Sequence, residues 1–340
     1  MENHGVGGLY MIVVTGGAGF IGSCLAARLN EHGRDDLIIV DELDASDKWR
    51  NLRALRFAEF LDKADLLDFL DSGIKPDAIL HMGACSSTTE RNAQYLYTNN
   101  FRYTETLARW CLKHETRFVY ASSAATYGDG SQGYDDSADL NTLRPLNMYG
   151  YSKHLFDVQA QNRGWSKFIA GVKFFNVYGP NEHHKADMRS VVLKAFEQIN
   201  ESGSVELFKS HRSDCEDGGQ MRDFVYVKDA VDMVLYLADH PEANGLFNAG
   251  TGTARSFADL ATAVFTAMGR EPSITYIDMP EQLRDRYQYF TQATIDRIRG
   301  EGYEAPIFSL EDGITDYVQN YLVPARYMGD SPGSTTGLQG

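Results

Sequence analysis

The chain has 340 residues, 43% of them hydrophobic, which suffices for one large domain or two interleaved ones. A formal net charge of −15 argues against a nucleic-acid partner, which needs a basic face. No run is long and apolar enough to span a bilayer, and residues 1–10 lack the charged-then-apolar plan of a signal peptide, so no membrane contact and a cytoplasmic location are expected. Cys24, Cys85, Cys111 and Cys215 have no paired metal spacing, which predicts free thiols and no metal site.

Along the chain, Met11–Thr15 reads as a buried strand that ends in glycines at 16, 17, 19 and 22 and leads into a helix through Leu25 and Leu29. Gly16, Gly19 and Gly22 permit a tight turn, a close approach of pyrophosphate, and close helix–strand packing, with Phe20 and Ile21 at the helix start. A second strand, Leu37–Asp41, ends in an acid about 20 residues later, where a ribose hydroxyl is expected. Strand, glycines, helix, strand and acid in this order predict a nicotinamide dinucleotide site. Asp41 and Glu42 disfavour a 2′-phosphate, while Lys48, Arg50, Arg53 and Lys63 are placed to neutralise one, so charge alone leaves NAD and NADP open.

Strand and helix signals continue to alternate: Ala78–Met82 (strand), Asn92–Lys113 (helix), Arg117–Ser122 (strand), Met148–Gln161 (helix) and Phe168–Phe175 (strand). The pattern predicts an α/β fold with a doubly wound parallel sheet, Rossmann-like, and a smaller interleaved substrate-binding domain. Gly16, Met82, Ser122–Ser123 and Asn176 fall at strand carboxyl ends, where such sheets bind ligands. Further on come a helix near 188–199, a strand Val205–Phe208, a polar loop over 209–221, and Phe224–Val227 as a return to the sheet. Helix 228–239, strand Leu246–Gly250, helix 257–268 and strand Ile274–Ile277 complete the order. The expected division is a dinucleotide-binding domain over 11–176, continued by about 222–250, with substrate-binding segments over 177–221 and about 251–322 that partly return to the Rossmann domain. Residues 1–10 and 325–340 are expected to be flexible tails.

Tyr149 and Lys153 lie four residues apart, on one face of a helix. A phenol with a pKa near ~10 is a poor base at neutral pH, and an ammonium one turn away is expected to lower it. The pair therefore suits removal of an alcohol proton while a hydride leaves the same carbon. Ser123, at the end of the preceding strand, is placed to hydrogen-bond the reacting oxygen.

With these motifs placed, the chain resembles the extended short-chain dehydrogenase/reductases that modify nucleotide sugars. The segments His81–Glu90, Tyr120–Gly128, Pro145–Lys153, Phe175–Pro180 with His184 and Lys185, Arg222–Val227, and Arg286–Tyr287 with Phe290–Gln292 are similar to the ADP-glyceromanno-heptose 6-epimerases among them. The similarity runs from about Met11 to about Tyr321. It implies an enzyme that interconverts ADP-D-glycero- and ADP-L-glycero-D-manno-heptose at C6″ for lipopolysaccharide inner-core synthesis, with NADP as cofactor and a pentameric homo-oligomer. It implies Tyr149, Lys153, Ser123 and Lys185 as catalytic residues; Met82, Gly83, Ala84, Cys85, Ser86, Asn99 and Lys185 beside the cofactor; and Asn176, Asp187, Lys194, Phe208, Lys209, Ser210, His211, Arg222 and Tyr287 at the substrate. Met82 in place of Glu, Asp187 in place of a small residue, and a longer loop from Ser210 to Met221 depart from the family pattern.

The anionic diphosphate needs local positive charge, for which Lys194, Lys209, Arg222 and Arg286 are candidates and Arg222, a bidentate partner, leads. A hydroxyl inverted at its own carbon occupies two places during the reaction. A second proton-transfer group opposite Tyr149 is therefore expected, and the resemblance nominates Lys185. A C4 epimerase of a uridine-linked hexose and a non-catalytic dinucleotide sensor are the alternatives. Ala124 and Ala125 stand where a 4,6-dehydratase needs acids.

Overall fold

In this computed structural model, which describes residues 11–284 and 287–331, the strands in chain order are β1 Ile12–Thr15, β2 Leu37–Asp41, β3 Glu59–Asp62, β4 Ala78–His81, β5 Arg117–Ser123, β6 Ala170–Phe174, β7 Asn176–Tyr178, β8 Val205–Phe208, β9 Met221–Tyr226, β10 Gly245–Ala249, β11 Ala254–Ser256 and β12 Ile274–Ile277. The main sheet has seven strands in the order β10-β6-β5-β4-β1-β2-β3, and every pairing in it is parallel. Strands β1, β4, β5, β6 and β10 are buried at every position, as strands of a doubly covered sheet must be, their polar residues such as His81, Arg117, Lys173 and Asn248 included. The chain steps outward one way through β2 and β3 and the other way through β4, β5 and β6. The order therefore reverses between β1 and β4, and the carboxyl ends of these two strands open the crevice in which such sheets bind ligands.

The helices Phe20–Glu31 and Val227–Asp239 pack against each other, tied by an Arg28–Asp232 ion pair at 2.7 Å. Beneath the loop after β5 lies a buried polar knot. Lys173 Nζ is 3.5 Å from Asp157 and donates to Thr126 Oγ1 at 2.7 Å, while Ser122 and Tyr120 hydroxyls donate to the same Asp157 carboxylate. Burial pushes the Lys173 pKa down, opposed by Asp157. The ion pair meets the requirement that buried charges be matched.

Three expectations change. The single helix expected over 92–113 is divided by a π-helical turn, Tyr97–Arg102, between Ala93–Leu96 and Tyr103–His114. In that turn the Asn100 amide both accepts from the Cys85 N–H and donates to the Cys85 carbonyl, each at 2.9 Å, bracing the loop after β4. Secondly, β9 does not return to the main sheet. It pairs parallel with β7 and antiparallel with β11 in a separate three-stranded sheet, because the chain has already bent away at Phe175. Strands β8 and β12 form a further parallel pair. Thirdly, residues 325–331 are not a loose tail: Tyr327 and Met328 are buried, and the Met328 N–H donates to Asn181 Oδ1 at 2.8 Å.

Candidate active site

The glycine loop after β1 is built for close approach. Gly16 has φ +65°, and a Cβ there would stand 2.5 Å from Gly83 Cα; a Cβ on Gly22 would stand 2.1 Å from the Gly16 carbonyl oxygen. The helix Phe20–Glu31 begins with no side-chain cap, so its first N–H groups remain for an anion. Asp41, at the end of β2, accepts from the Ala18 N–H at 2.9 Å and pairs with Lys48 at 3.1 Å. These features fit a dinucleotide: a cradle that admits only glycine, free amides for the pyrophosphate, and a carboxylate at the ribose position.

A cleft of about 1340 Å³ runs from this loop across the strand ends. Its wall includes Gly16, Gly19, Phe20, Ile21, Gly22, Asp41, Lys48, Met82, Gly83, Ala84 and Ser86 at the cofactor end, then Ser123, Tyr149, Lys153 and Lys185, then Asn176, Arg222 and Tyr287. Tyr149 and Lys153 project from the helix Met148–Asn162, whose N-cap Asn147 accepts from the Gly150 N–H. The Ser123 hydroxyl, which accepts from the Ala125 N–H at 3.1 Å, lies beside the Tyr149 phenol and favours its ionised form.

The effect expected from Lys153 differs. Burial raises the Tyr149 pKa, and the Ser123 contact only partly offsets it. Lys153 Nζ donates instead to the Ala121 carbonyl at 2.8 Å, and burial brings its own pKa down to about 8. Lys185 lies on a six-residue 3-10 segment, His183–Met188, with Nζ 5.1 Å from the Phe20 ring centroid. Burial lowers its pKa, opposed by the Glu182 carboxylate. Ala186, its neighbour, has φ +47°. An alanine held there marks a turn imposed by its surroundings.

Arg222 is buried between aromatic rings, its guanidinium 5.1 Å from the Tyr287 centroid and 5.6 Å from that of Phe257. Among the described residues no carboxylate pairs with it, and burial lowers its pKa. A desolvated guanidinium on a cleft wall without a counter-ion suits a phosphate.

Residues 12–250 match the NAD dependent epimerase/dehydratase family. The chain belongs to that family. It is 54% identical over 319 residues to the ADP-L-glycero-D-manno-heptose-6-epimerase of Nitratidesulfovibrio vulgaris (strain DP4), covering 93% of this chain and 99% of that protein. It is 46% identical over 325 residues to the same-named protein of Fusobacterium nucleatum subsp. nucleatum, covering 92% and 98%. The crystal structure of the Helicobacter pylori ADP-L-glycero-D-manno-heptose-6-epimerase superposes with a TM-score of 0.80 at 27% identity, over 94% of this chain and 99% of that one.

Within this epimerase/dehydratase fold, several residues expected at the site stand back from the cleft wall. Lys63 pairs with Glu42 and donates to Asn99 Oδ1 at 3.2 Å, so these three form a cluster behind Asp41. Cys85 is held through its backbone by Asn100. Lys194 donates to the Asp187 carbonyl at 2.7 Å, and Lys209 pairs with the exposed Asp278 at 3.2 Å; their charges are turned to the surface. Phe208 reaches the site only through Tyr287, ring to ring at 6.4 Å, while Ser210 and His211 bond within the exposed loop and to Tyr289. Arg286 lies outside the described residues. Sequence reasoning missed Phe257 and Gln288 on the wall; Gln288 adjoins the motif around Tyr287, but nothing local marks Phe257.

Proposed function

We propose that the protein epimerises the C6″ carbon of ADP-D-glycero-D-manno-heptose to give the L-glycero epimer, the step that supplies this sugar for the lipopolysaccharide inner core. The observation that carries the reading is one cleft lined by Tyr149, Ser123, Lys153 and Lys185 at the reacting end and Arg222 beyond. Identity of 54% across nearly the whole of a heptose epimerase supports the substrate.

When bound, the nicotinamide supplies the acceptor and donor of hydride that let a carbon bearing only H and OH pass through a ketone. The glycine loop and helix N-terminus hold the pyrophosphate, and Asp41 the adenosine ribose. Tyr149 exchanges the hydroxyl proton in one orientation of the sugar, with Ser123 steadying the oxygen. After the sugar end turns, Lys185 exchanges the proton in the other orientation; its lowered pKa brings it nearer to neutrality, as a proton-transfer group requires. Lys153 holds the nicotinamide ribose. Arg222, with Tyr287 beside it and Asn176 on the same cleft wall, binds the ADP diphosphate, and Phe208 backs Tyr287.

For the cofactor we propose NADP, with NAD as a weaker alternative. Lys48 and Lys63 leave Asp41 and Glu42 to meet the 2′-phosphate, and fluorescence titration should give a lower Kd for NADPH than for NADH. The chain acts in the cytoplasm as a homo-oligomer, pentameric by resemblance, which light scattering tests. The deciding experiment incubates the purified protein with each epimer of ADP-heptose and follows C6″ by NMR. Interconversion in both directions is expected. Turnover of a UDP-hexose at C4 without it would replace this reading.

A further inference from the structure

Asn51 stands behind the cleft, only 2% exposed, yet its amide nitrogen reaches the elements that build the reacting end. Nδ2 donates to the Ala18 carbonyl in the glycine loop at 2.9 Å and to the Asn181 carbonyl at 3.1 Å, and lies 3.3 Å from Nδ1 of His184, the neighbour of Lys185. One amide thus bridges the cofactor loop and the segment that carries Lys185.

Asn181 is held from its other side. It is fully buried with φ +73°, a backbone conformation that asparagine tolerates. Its Nδ2 donates to Ser23 Oγ at 2.9 Å on the glycine-loop helix, and its Oδ1 accepts from Met328 N–H at 2.8 Å. Lys185 itself has no ion-pair partner among the described residues. Its backbone N–H bonds the Glu182 carbonyl at 3.0 Å, and its Nζ rests over the Phe20 ring. The location of this ammonium is therefore set by the backbone of 181–186, and that backbone is anchored to the cofactor loop through Asn51.

We propose that Asn51 is a positioning residue that holds Lys185 in register with the glycine loop, so that cofactor and second proton-transfer group keep one geometry. The proposal rests on the reading of Lys185 as an acid/base group. Removing the two donated bonds leaves the Ala18 carbonyl without its Asn51 partner and the Asn181 carbonyl with only the His184 ring, and frees the segment to shift relative to Phe20. A small misplacement of a proton-transfer group costs rate without changing ground-state binding.

The test uses the full chain with cofactor bound and compares wild type with Asn51→Asp, which keeps the volume and loses the donor. Asn51→Ala is read in the same way should the carboxylate prevent folding. Epimerisation kcat should fall about tenfold or more, with the sugar KM and cofactor Kd within about twofold. Reductive methylation of Lys185, followed by mass spectrometry, should be faster by about threefold or more as the segment loosens. Unchanged kcat, or a lower kcat with unchanged Lys185 labelling, overturns the proposal. Lys185→Ala is run alongside: near wild-type turnover there overturns the acid/base reading alone, because Lys185 labelling in Asn51→Asp still decides whether Asn51 holds the segment.

Discussion

At the level of single residues, the reacting end combines groups whose protonation is set by burial more than by neighbouring charge. Tyr149 is raised by burial with Ser123 as its nearest relief, while Lys153 and Lys185 are both lowered. Tyr149→Phe and Lys185→Ala should each lower epimerisation kcat by about 10³-fold, the scale of a lost acid/base group, with the NADPH Kd nearly unchanged in a fluorescence titration. Near wild-type turnover in either variant would remove that residue from the mechanism. Arg222 belongs to the same scale. Replacement by Ala should raise the KM for ADP-heptose by about 10- to 100-fold, the worth of a charged hydrogen bond, and Lys should recover only part of it. An unchanged KM would return Arg222 to a purely packing role between Tyr287 and Phe257. Tyr149, Lys153 and Arg222 were legible as candidates because their chemistry is carried by their own side chains. Arg222 already led Lys194 and Lys209 on its bidentate chemistry; what the structure adds is its burial between Tyr287 and Phe257, which no local spacing reveals.

At the level of elements, two short pieces govern the site. The turn from β1 into the helix Phe20–Glu31 works only with glycine at its closest contacts. Gly22→Ala places a methyl where the Gly16 carbonyl already stands, and should abolish cofactor binding in a titration that wild type passes. Retained binding would show that the turn can relax. The polar knot under the loop after β5 supports Ser123 from below. Lys173→Met strands Asp157 in the interior, and should lower unfolding free energy by about 3–5 kcal/mol, the usual cost of breaking a buried pair, measured by urea denaturation. Elements with strong periodicity, such as β2, β8 and β12, lie where their residues predicted. The π-helical turn at 97–102 and the departure of β9 from the main sheet were not legible. The first depends on Asn100 meeting Cys85, and the second on which strand is left beside Asn176.

At the level of the whole molecule, pH dependence follows from histidines shared between segments distant in sequence. His81 sits between Thr15 and Thr104, and burial lowers its pKa to about 3; His183 and His184 are lowered to about 4, again chiefly by burial. Below the unfolded value of about 6.5 the unfolded chain binds protons that the folded chain refuses. The histidines' contribution to stability is therefore fully present above pH ~6.5 and declines as pH falls toward 4, each pH unit of separation being worth roughly 1.4 kcal/mol per histidine, while Asp136 and Asp229, raised by burial to about 6 and about 7, act in the opposite sense. Thermal melts from pH 7.5 to 4.5 should show a falling Tm, with a shallower fall in His81→Gln, measured from its own neutral-pH value; a flat profile would contradict this. The sequence by itself determined the alternating α/β order, the glycine cradle, the acid after β2 and the Tyr149–Lys153 pair. Each is a matter of periodicity or spacing within a few turns of chain. Only the tertiary structure decided that Lys153 turns to the Ala121 carbonyl, that residues 325–331 fold back onto Asn181, and that Asn51 joins the Lys185 segment to the glycine loop. Those contacts span tens to hundreds of residues, and burial and long-range hydrogen bonding exist only once the strands have been brought side by side.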